Sequence, residues 1–344
     1  MKSRRLIALF SVAPFAAVIS GSASCDSRSG GVPPASGGSG GARPVGSGGS
    51  NLPGSGGASA GSGGSELSGS GGGAAGGAGG AMGDEPPGAT AACASLAHAL
   101  CARGQDCAPF ATSLVFGSLA TCEARLQLDC LTRFTPGSSA TPADTSSCAD
   151  SLASQPCTAF ARGDLGTACA PRPGSFLTGA TCLDDRQCDS AFCARAPDAA
   201  CGVCAAPTAA GSPCVRGACS AGTVCPKGTS TSTCIVPEPG PIGAACTASE
   251  QCDVGNGVGC NPLTGRCIRL ALAASGTCGL DLATSTYSAC GASGNCSPLL
   301  AGKCVAAAPD GAACSAAEAG PPCLPPARCV SGRCSLPDPS VCAP

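Results

Sequence analysis

The 344-residue chain has no Trp, one Tyr, one His and only 8 Phe, and charged residues make up 12% of it. Large apolar and aromatic side chains supply most of the surface that a folded core removes from water. A length that would ordinarily suggest about two domains therefore lacks the side chains to fill two ordinary cores. A single His with no second base leaves no Ser/His/Asp or Cys/His unit for nucleophilic catalysis. A net charge of −2 and a pI of about 5.4 exclude the basic footprint of a nucleic-acid binder. No Gly-rich phosphate loop follows a strand, and no apolar run reaches the ~20 residues of a membrane-spanning helix. The expectation is a chain that is not an enzyme, holds no cofactor or metal, and binds no nucleic acid.

What the chain has instead is cysteine, 31 residues of it, together with 52 Gly and 30 Pro. That density marks a disulfide framework in an exported protein. Lys2, Arg4 and Arg5 precede an apolar run from Leu6 to Ile19, and small residues lead on to Cys25. A basic start, a short apolar stretch and a small-residue end describe a signal peptide over 1–24. Ser22-Ala23-Ser24-Cys25 resembles a bacterial lipobox, with Ser22 where Leu is usual. The resemblance implies a lipid on Cys25 and anchoring to the outer membrane or cell surface. Cleavage by signal peptidase I after Ser24, giving a soluble secreted or periplasmic product, is the alternative. Parity favours the lipid, because without Cys25 the remaining cysteines are even in number and can pair completely.

Residues 25–90 read as a lipidated Cys plus a disordered Gly/Ser-rich tether, which has nothing to bury. At ~64 residues its root-mean-square reach is roughly 40–50 Å. Composition shifts near Ala91, and 91–178 reads as a helical eight-Cys domain. Cys93, Leu96, Ala97, Leu100 and Cys101 lie on one helical face, which Gly104 is expected to end. Ser118 can cap a second helix carrying Leu119, Cys122, Leu126, Cys130 and Phe134 along one side. Thr141-Pro142-Ala143-Asp144 begins a third, with Cys148 on its face. Cys93 and Cys101 stand eight residues apart, as do Cys122 and Cys130, a step of about 12 Å along a helix. In an antiparallel hairpin this spacing predicts two rungs, Cys93–Cys130 and Cys101–Cys122. Cys107, Cys148, Cys157 and Cys169 would supply the remaining two bridges.

Residues 179–344 carry 22 cysteines in tandem Cys-rich repeats. Cys182, Cys214, Cys246 and Cys278 are each 32 residues apart, and Cys314 follows after 36. Each lies just beyond a Gly: Gly179, Gly211, Gly243, Gly276 and Gly311. The third unit continues with Cys252, Cys260 and Cys267, and the fourth with Cys290, Cys296 and Cys304. The fifth continues with Cys323, Cys329 and Cys334, and Cys342 follows. These units close on Gly265-Arg266-Cys267, Gly302-Lys303-Cys304 and Gly332-Arg333-Cys334. A turn feeding a final Cys suits a small β-hairpin stapled at its ends. Two bridges per unit, each worth roughly 2–4 kcal/mol, can replace a core.

The first two units run Cys182, Cys188, Cys193, Cys201, Cys204 and Cys214, Cys219, Cys225, Cys234. This spacing, with Asp185, Gln187, Cys188, Ser190 and Cys193, resembles the Dickkopf amino-terminal cysteine-rich region over 182–234. The adjacent Cys pair of that family's second half is missing here. The resemblance implies a disulfide architecture and nothing of the animal family's partners. The whole chain is also similar to Cys-rich lipoproteins of myxobacteria.

Other motifs read more plainly as structure. Cys201-Gly202-Val203-Cys204 lacks the βαβ setting of a redox loop and the His ligands of a zinc site. Arg162-Gly163-Asp164 matches an adhesion tripeptide at a length chance supplies, His98 reads as an exposed helical residue, and Asp184-Asp185 as a turn. The expected fold class is small and disulfide-rich: a disordered linker, a helical Cys-rich domain, then a rod of tandem β-hairpin modules with little regular structure. The expected function is non-enzymatic, in protein binding, adhesion or envelope structure. Its partner is an unknown protein or envelope ligand, and only the lipid touches the membrane. The alternative is an inhibitor that presents a disulfide-bounded loop, with 226–233 and 279–289 as the loops to watch.

Overall fold

A computed structural model describes residues 86–342 apart from 162, 196–198, 215–218, 220–222, 224–232, 237, 247–248, 262, 274–275, 298–300 and 316–319. The signal peptide, Cys25, the tether up to residue 85, Arg162, Cys225 and most of the 226–233 loop lie outside the described residues, and the last two residues of the expected tether, Ala89 and Thr90, already belong to the first helix. The first part of the described chain is helical: α1 Ala89–Cys107, α2 Pro109–Phe116, α3 Leu119–Leu131, α4 Pro142–Leu152 and α5 Cys157–Ala161.

The Ala- and Leu-rich α1 buries the face of Cys93, Leu96, Ala97, Leu100 and Cys101 against α3 and α4. Ser118 caps α3 by accepting the N–H of Thr121, and Thr141 caps α4 by accepting that of Asp144. Both rungs expected from the spacing form, Cys93–Cys130 and Cys101–Cys122, and Cys107–Cys157 and Cys148–Cys169 complete the set. Gly104 does not end α1, which continues to Cys107. Its role is close approach: a Cβ there would stand 2.9 Å from the Oγ1 of Thr112 on α2. That hydroxyl is itself committed to the Ala108 carbonyl at 3.1 Å. The helix α2 was not anticipated, although Pro109 at its first turn is a start signal.

Beyond Gly179 four of the five units show one complete wiring. The first Cys bonds the third and the second bonds the fourth, as in Cys246–Cys260 with Cys252–Cys267 and Cys278–Cys296 with Cys290–Cys304. Cys314–Cys329 with Cys323–Cys334 repeats it. The first unit does so with Cys182–Cys193 and Cys188–Cys204, passing over Cys201. In the second, Cys219–Cys234 is the second-to-fourth bond.

The strands are β1 Thr181–Cys182, β2 Cys193–Ala194, β3 Gly202–Cys204, β4 Val258–Asn261, β5 Arg266–Leu272 and β6 Thr277–Asp281. They continue with β7 Thr286–Ala289, β8 Asn295–Ser297, β9 Gly302–Val305, β10 Arg328–Val330 and β11 Arg333–Ser335. The third and fourth cysteines of a unit face each other across a hairpin: Cys193 and Cys204, Cys260 and Cys267, Cys296 and Cys304, Cys329 and Cys334. They do not bond to each other, so the expected staple across the hairpin is replaced by two bonds to the segment before it. The Gly before each first Cys has a positive φ, from +73° to +94°, a backbone that favours glycine. In four units its N–H reaches the carbonyl of the last Cys at 2.7–2.8 Å. The closing tripeptide also has a reason, since Arg266 Nη1 donates to the Gly243 carbonyl and Arg333 Nη1 to that of Gly311.

The units do not string out as the expected rod. The third and fourth merge into one six-stranded sheet, ordered β4-β5-β7-β6-β9-β8, through the parallel pair β5–β7. Its Ile268, Leu270, Leu280 and Tyr287 close over Leu114 of α2, while Val254 enters the helical core. Ser293 takes up the carbonyls of Leu114 and Val115 at the end of α2, each at 2.8 Å. The fifth unit is held by Arg125 of α3, which forks onto Asp310 at 2.7 and 2.8 Å and donates to the carbonyls of Leu324 and Pro325. The first unit docks through Gln187 Nε2 to the Pro136 carbonyl and through Phe176, whose ring leaves no room for a Cβ on Gly137. Cys201–Cys342 then closes a ring across a separation of 141 residues. Small units that bury little alone gain more by covering a helical face than by standing in line.

The close contact at Gly104 makes a specific prediction. Ala ordinarily gains ~1 kcal/mol over Gly inside a helix, but here Gly104→Ala should lose about 1–2 kcal/mol through overpacking against α2. Thr112→Ala in the same chain should recover most of that loss. Thermal midpoints of the two variants under non-reducing conditions decide it, and a midpoint raised by Gly104→Ala alone would refute the packing role.

Candidate functional site

The residues that the sequence singled out fall in separate places. His98 on α1 bonds Glu123 of α3 at 2.8 Å and is 72% exposed. Cys201 and Cys204 take different partners, Cys342 and Cys188, so Cys201-Gly202-Val203-Cys204 is not a dithiol loop. Gly163 and Asp164 form the turn after α5, with the Asp164 N–H on the Ala159 carbonyl. The 279–289 stretch is the β6–β7 hairpin of the large sheet, not a long loop, and only its turn is exposed. Within each unit three sulfurs, such as those of Cys182, Cys188 and Cys204, lie within 4.8 Å of one another. These are two cystines packed side by side, and every described cysteine is disulfide-bonded.

Asp184 and Asp185 belong to a larger assembly. Asp184 caps the short turn Asp185–Gln187 through the Arg186 N–H at 2.9 Å, and Gln187 Oε1 returns to the N–H groups of Leu183 and Asp184. Asp185 accepts the Cys193 N–H at 2.7 Å. Thus three residues behind the Dickkopf-like resemblance, Asp185, Gln187 and Cys193, shape the turn that faces the helices. Asp129 near the end of α3, Arg133 in the turn beyond it, Arg186 and Arg195 of the first unit and Arg328 from β10 of the fifth interact electrostatically around it.

This junction brings together three carboxylates and four guanidinium groups, of which Asp129, Arg133 and Asp184 are buried and the others half-buried. Burial raises the pKa of Asp129 against the pull of Arg133. Burial, helped by the charge on Asp184, pushes Asp185 up to about 7. Burial brings Arg133 down to about 10, with Arg186 adding to it. Arg328 also falls to about 10, by burial and then the charge of Arg195, and burial lowers Arg195. The ion pairs are loose, 3.6 Å for Arg133–Asp129 and 3.4 Å for Arg186–Asp184, compared with 2.7 Å at Arg125–Asp310. Nothing in the residue order announces the cluster. Asp129 and Arg133 are one helical turn apart, a weak signal, whereas Arg195 and Arg328 meet only because the fifth unit folds back.

Disulfide bonding on this scale requires an oxidising compartment, extracellular or periplasmic. Among the described residues no helix is long and apolar enough to cross a membrane.

Asp185 carries a pH dependence whose sign follows from its environment. The folded chain keeps a proton that the unfolded chain releases above about 4. The associated stability is present below that pH and is lost as pH rises towards about 7. Asp185→Asn keeps an acceptor for the Cys193 N–H without the charge. It should raise stability at pH 8 by on the order of 2 kcal/mol and flatten the profile between pH 4 and 7. Thermal midpoints across that range check it, and an unchanged profile would refute the assignment.

Comparison of the chain with protein-family models, curated proteins and solved structures finds no match to any of them.

Proposed function

We propose that the chain is a non-enzymatic lipoprotein, held to the outer membrane or cell surface by a lipid on Cys25. On this reading a Gly/Ser-rich tether presents a helical eight-cysteine domain bearing tandem Cys-rich units, which serve in protein binding, adhesion or envelope structure. The observation that carries it is the complete use of cysteine. Every described cysteine is disulfide-bonded, and Cys225 takes the third place in the four-cysteine sequence pattern of the second unit. Cys25 is the one cysteine that neither the helical domain nor the repeats include, as expected of a lipid-bearing residue. In the native host the full chain should pellet with membranes and yield an amino-terminal diacylglyceryl-Cys25 peptide by mass spectrometry. Cys25→Ala should release it to the soluble fraction. Soluble wild-type protein with unmodified Cys25 would sink the reading.

One observation favours the inhibitor reading as second. The β6–β7 turn is held rigid by Asp281, which accepts the N–H of Ala283 and the hydroxyl of Thr284, and it presents Leu282 at 68% exposure. A preorganised apolar tip of this kind loses little entropy on binding. The purified chain, assayed against a panel of exported proteases, should then inhibit at least one, with Leu282→Asp abolishing the effect. No inhibition across the panel removes this alternative.

A further inference from the structure

The bond between Cys201 and Cys342 differs from the other described bridges in what surrounds it. Within each unit the sulfurs cluster, and the last cysteine is fixed by its backbone, as the N–H groups of Cys267 and Cys334 are to the carbonyls of Ala244 and Ala312. The bridges of the helical domain are anchored in its core. Even the exposed Cys157 opens α5, whose Phe160 is fully buried. Cys201 and Cys342 belong to neither arrangement. Residues 336–342 follow β11 and are exposed at Leu336, Asp338, Ser340 and Val341. Their backbone hydrogen bonds are internal, from the N–H groups of Ser340, Val341 and Cys342 back to Asp338 and Pro339. The polar contacts across to the first unit are made by the two sulfurs. Cys201 Sγ meets the Val341 carbonyl at 3.4 Å at the surface, and Cys342 Sγ meets that of Ala200 at 3.6 Å. Cys201 is half-buried, whereas Cys342 is 1% exposed. Native-state reduction follows access to a sulfur and the amount of structure that must open with it, and here one sulfur is reachable and no unit has to open.

We propose that Cys201–Cys342 is a thiol-exchange site, reduced by a protein dithiol of the oxidising compartment while the rest of the framework stays oxidised. One thiolate of the dithiol attacks Cys201 Sγ. The Cys201–Cys342 bond breaks, a mixed disulfide forms at Cys201, and Cys342 leaves as a thiolate that takes up a proton. The second thiol, deprotonated, attacks the dithiol's own sulfur in the mixed disulfide and releases Cys201, which is protonated in turn. The chain gains two electrons and two protons as two thiols, and the dithiol becomes a disulfide. Residues 336–342 are freed and the ring between the first and fifth units opens. Arg125 still holds the fifth unit, and Gln187 still seats the first. The site is independent of the lipid on Cys25 and of any partner proposed above.

The test uses the full disulfide-bonded chain, purified from an oxidising host compartment, with dithiothreitol as the dithiol and no denaturant. Thiols are trapped with N-ethylmaleimide at intervals and located by peptide mass spectrometry. Cys201 and Cys342 should be labelled together, roughly tenfold or more ahead of any other bridged cysteine. The far-ultraviolet circular dichroism of the chain opened at this bond should match that of the oxidised chain. Cys342→Ser leaves Cys201 as a thiol, and this variant should titrate with one more reactive group per chain than the wild type. Should it fail to form the other bridges, the wild-type labelling order decides alone. Labelling of Cys107 and Cys157, or of the cysteines of any unit, before or together with Cys201 and Cys342 would overturn the proposal. Release of all the cysteines in a single step would do the same.

Discussion

Everything in the tandem units depends on two cystines lying side by side. With few aromatic residues, a stretch of about thirty residues has too little apolar surface to offset the entropy of ordering its backbone. The crossed wiring answers this by bringing the sulfurs of both bonds together inside the unit, where they stand in for a core. Cross-links act largely by restricting the unfolded chain, which frees the intervening residues from packing duties. The remaining fixed positions serve the wiring: the turn Gly reaching the last Cys, and the Arg that returns to that Gly.

The helices are the common support. Their core holds the largest fully buried side chains, Phe116 and Phe160, so the scarce aromatics are concentrated where several elements converge. Each docked unit uses a different means. The merged sheet closes an apolar surface over Leu114, the first unit relies on Gln187 and Phe176, and the fifth is clamped by Arg125. Polar docking of this kind is directional, so it fixes where a unit sits more sharply than apolar contact does.

The parts legible from residue order were those set by local rules. The caps at Ser118 and Thr141 and the matched eight-residue spacing of Cys93/Cys101 and Cys122/Cys130 are local, and the helices and first two bridges follow from them. The glycine before each unit was visible as a repeat, although its conformation was not. What could not be read were decisions made by tertiary contact. Gly104 looks like a helix terminator until Thr112 is placed beside it. The parallel pairing of β5 with β7 joins two units that the cysteine period separates. The Asp129–Arg195–Arg328 assembly draws residues from three distant stretches, and no periodicity connects them.

The bond between Cys201 and Cys342 has a consequence for how the molecule meets degradation. An extracellular or periplasmic protein encounters proteases, and turns such as Leu282–Ser285 are open to them. A cut there severs the backbone but liberates no fragment, because every point between Cys201 and Cys342 is spanned by that one bond. The nicked molecule stays whole, with its units still seated on the helices. Damage that would dismantle a linear array is thereby reduced to a break in a loop.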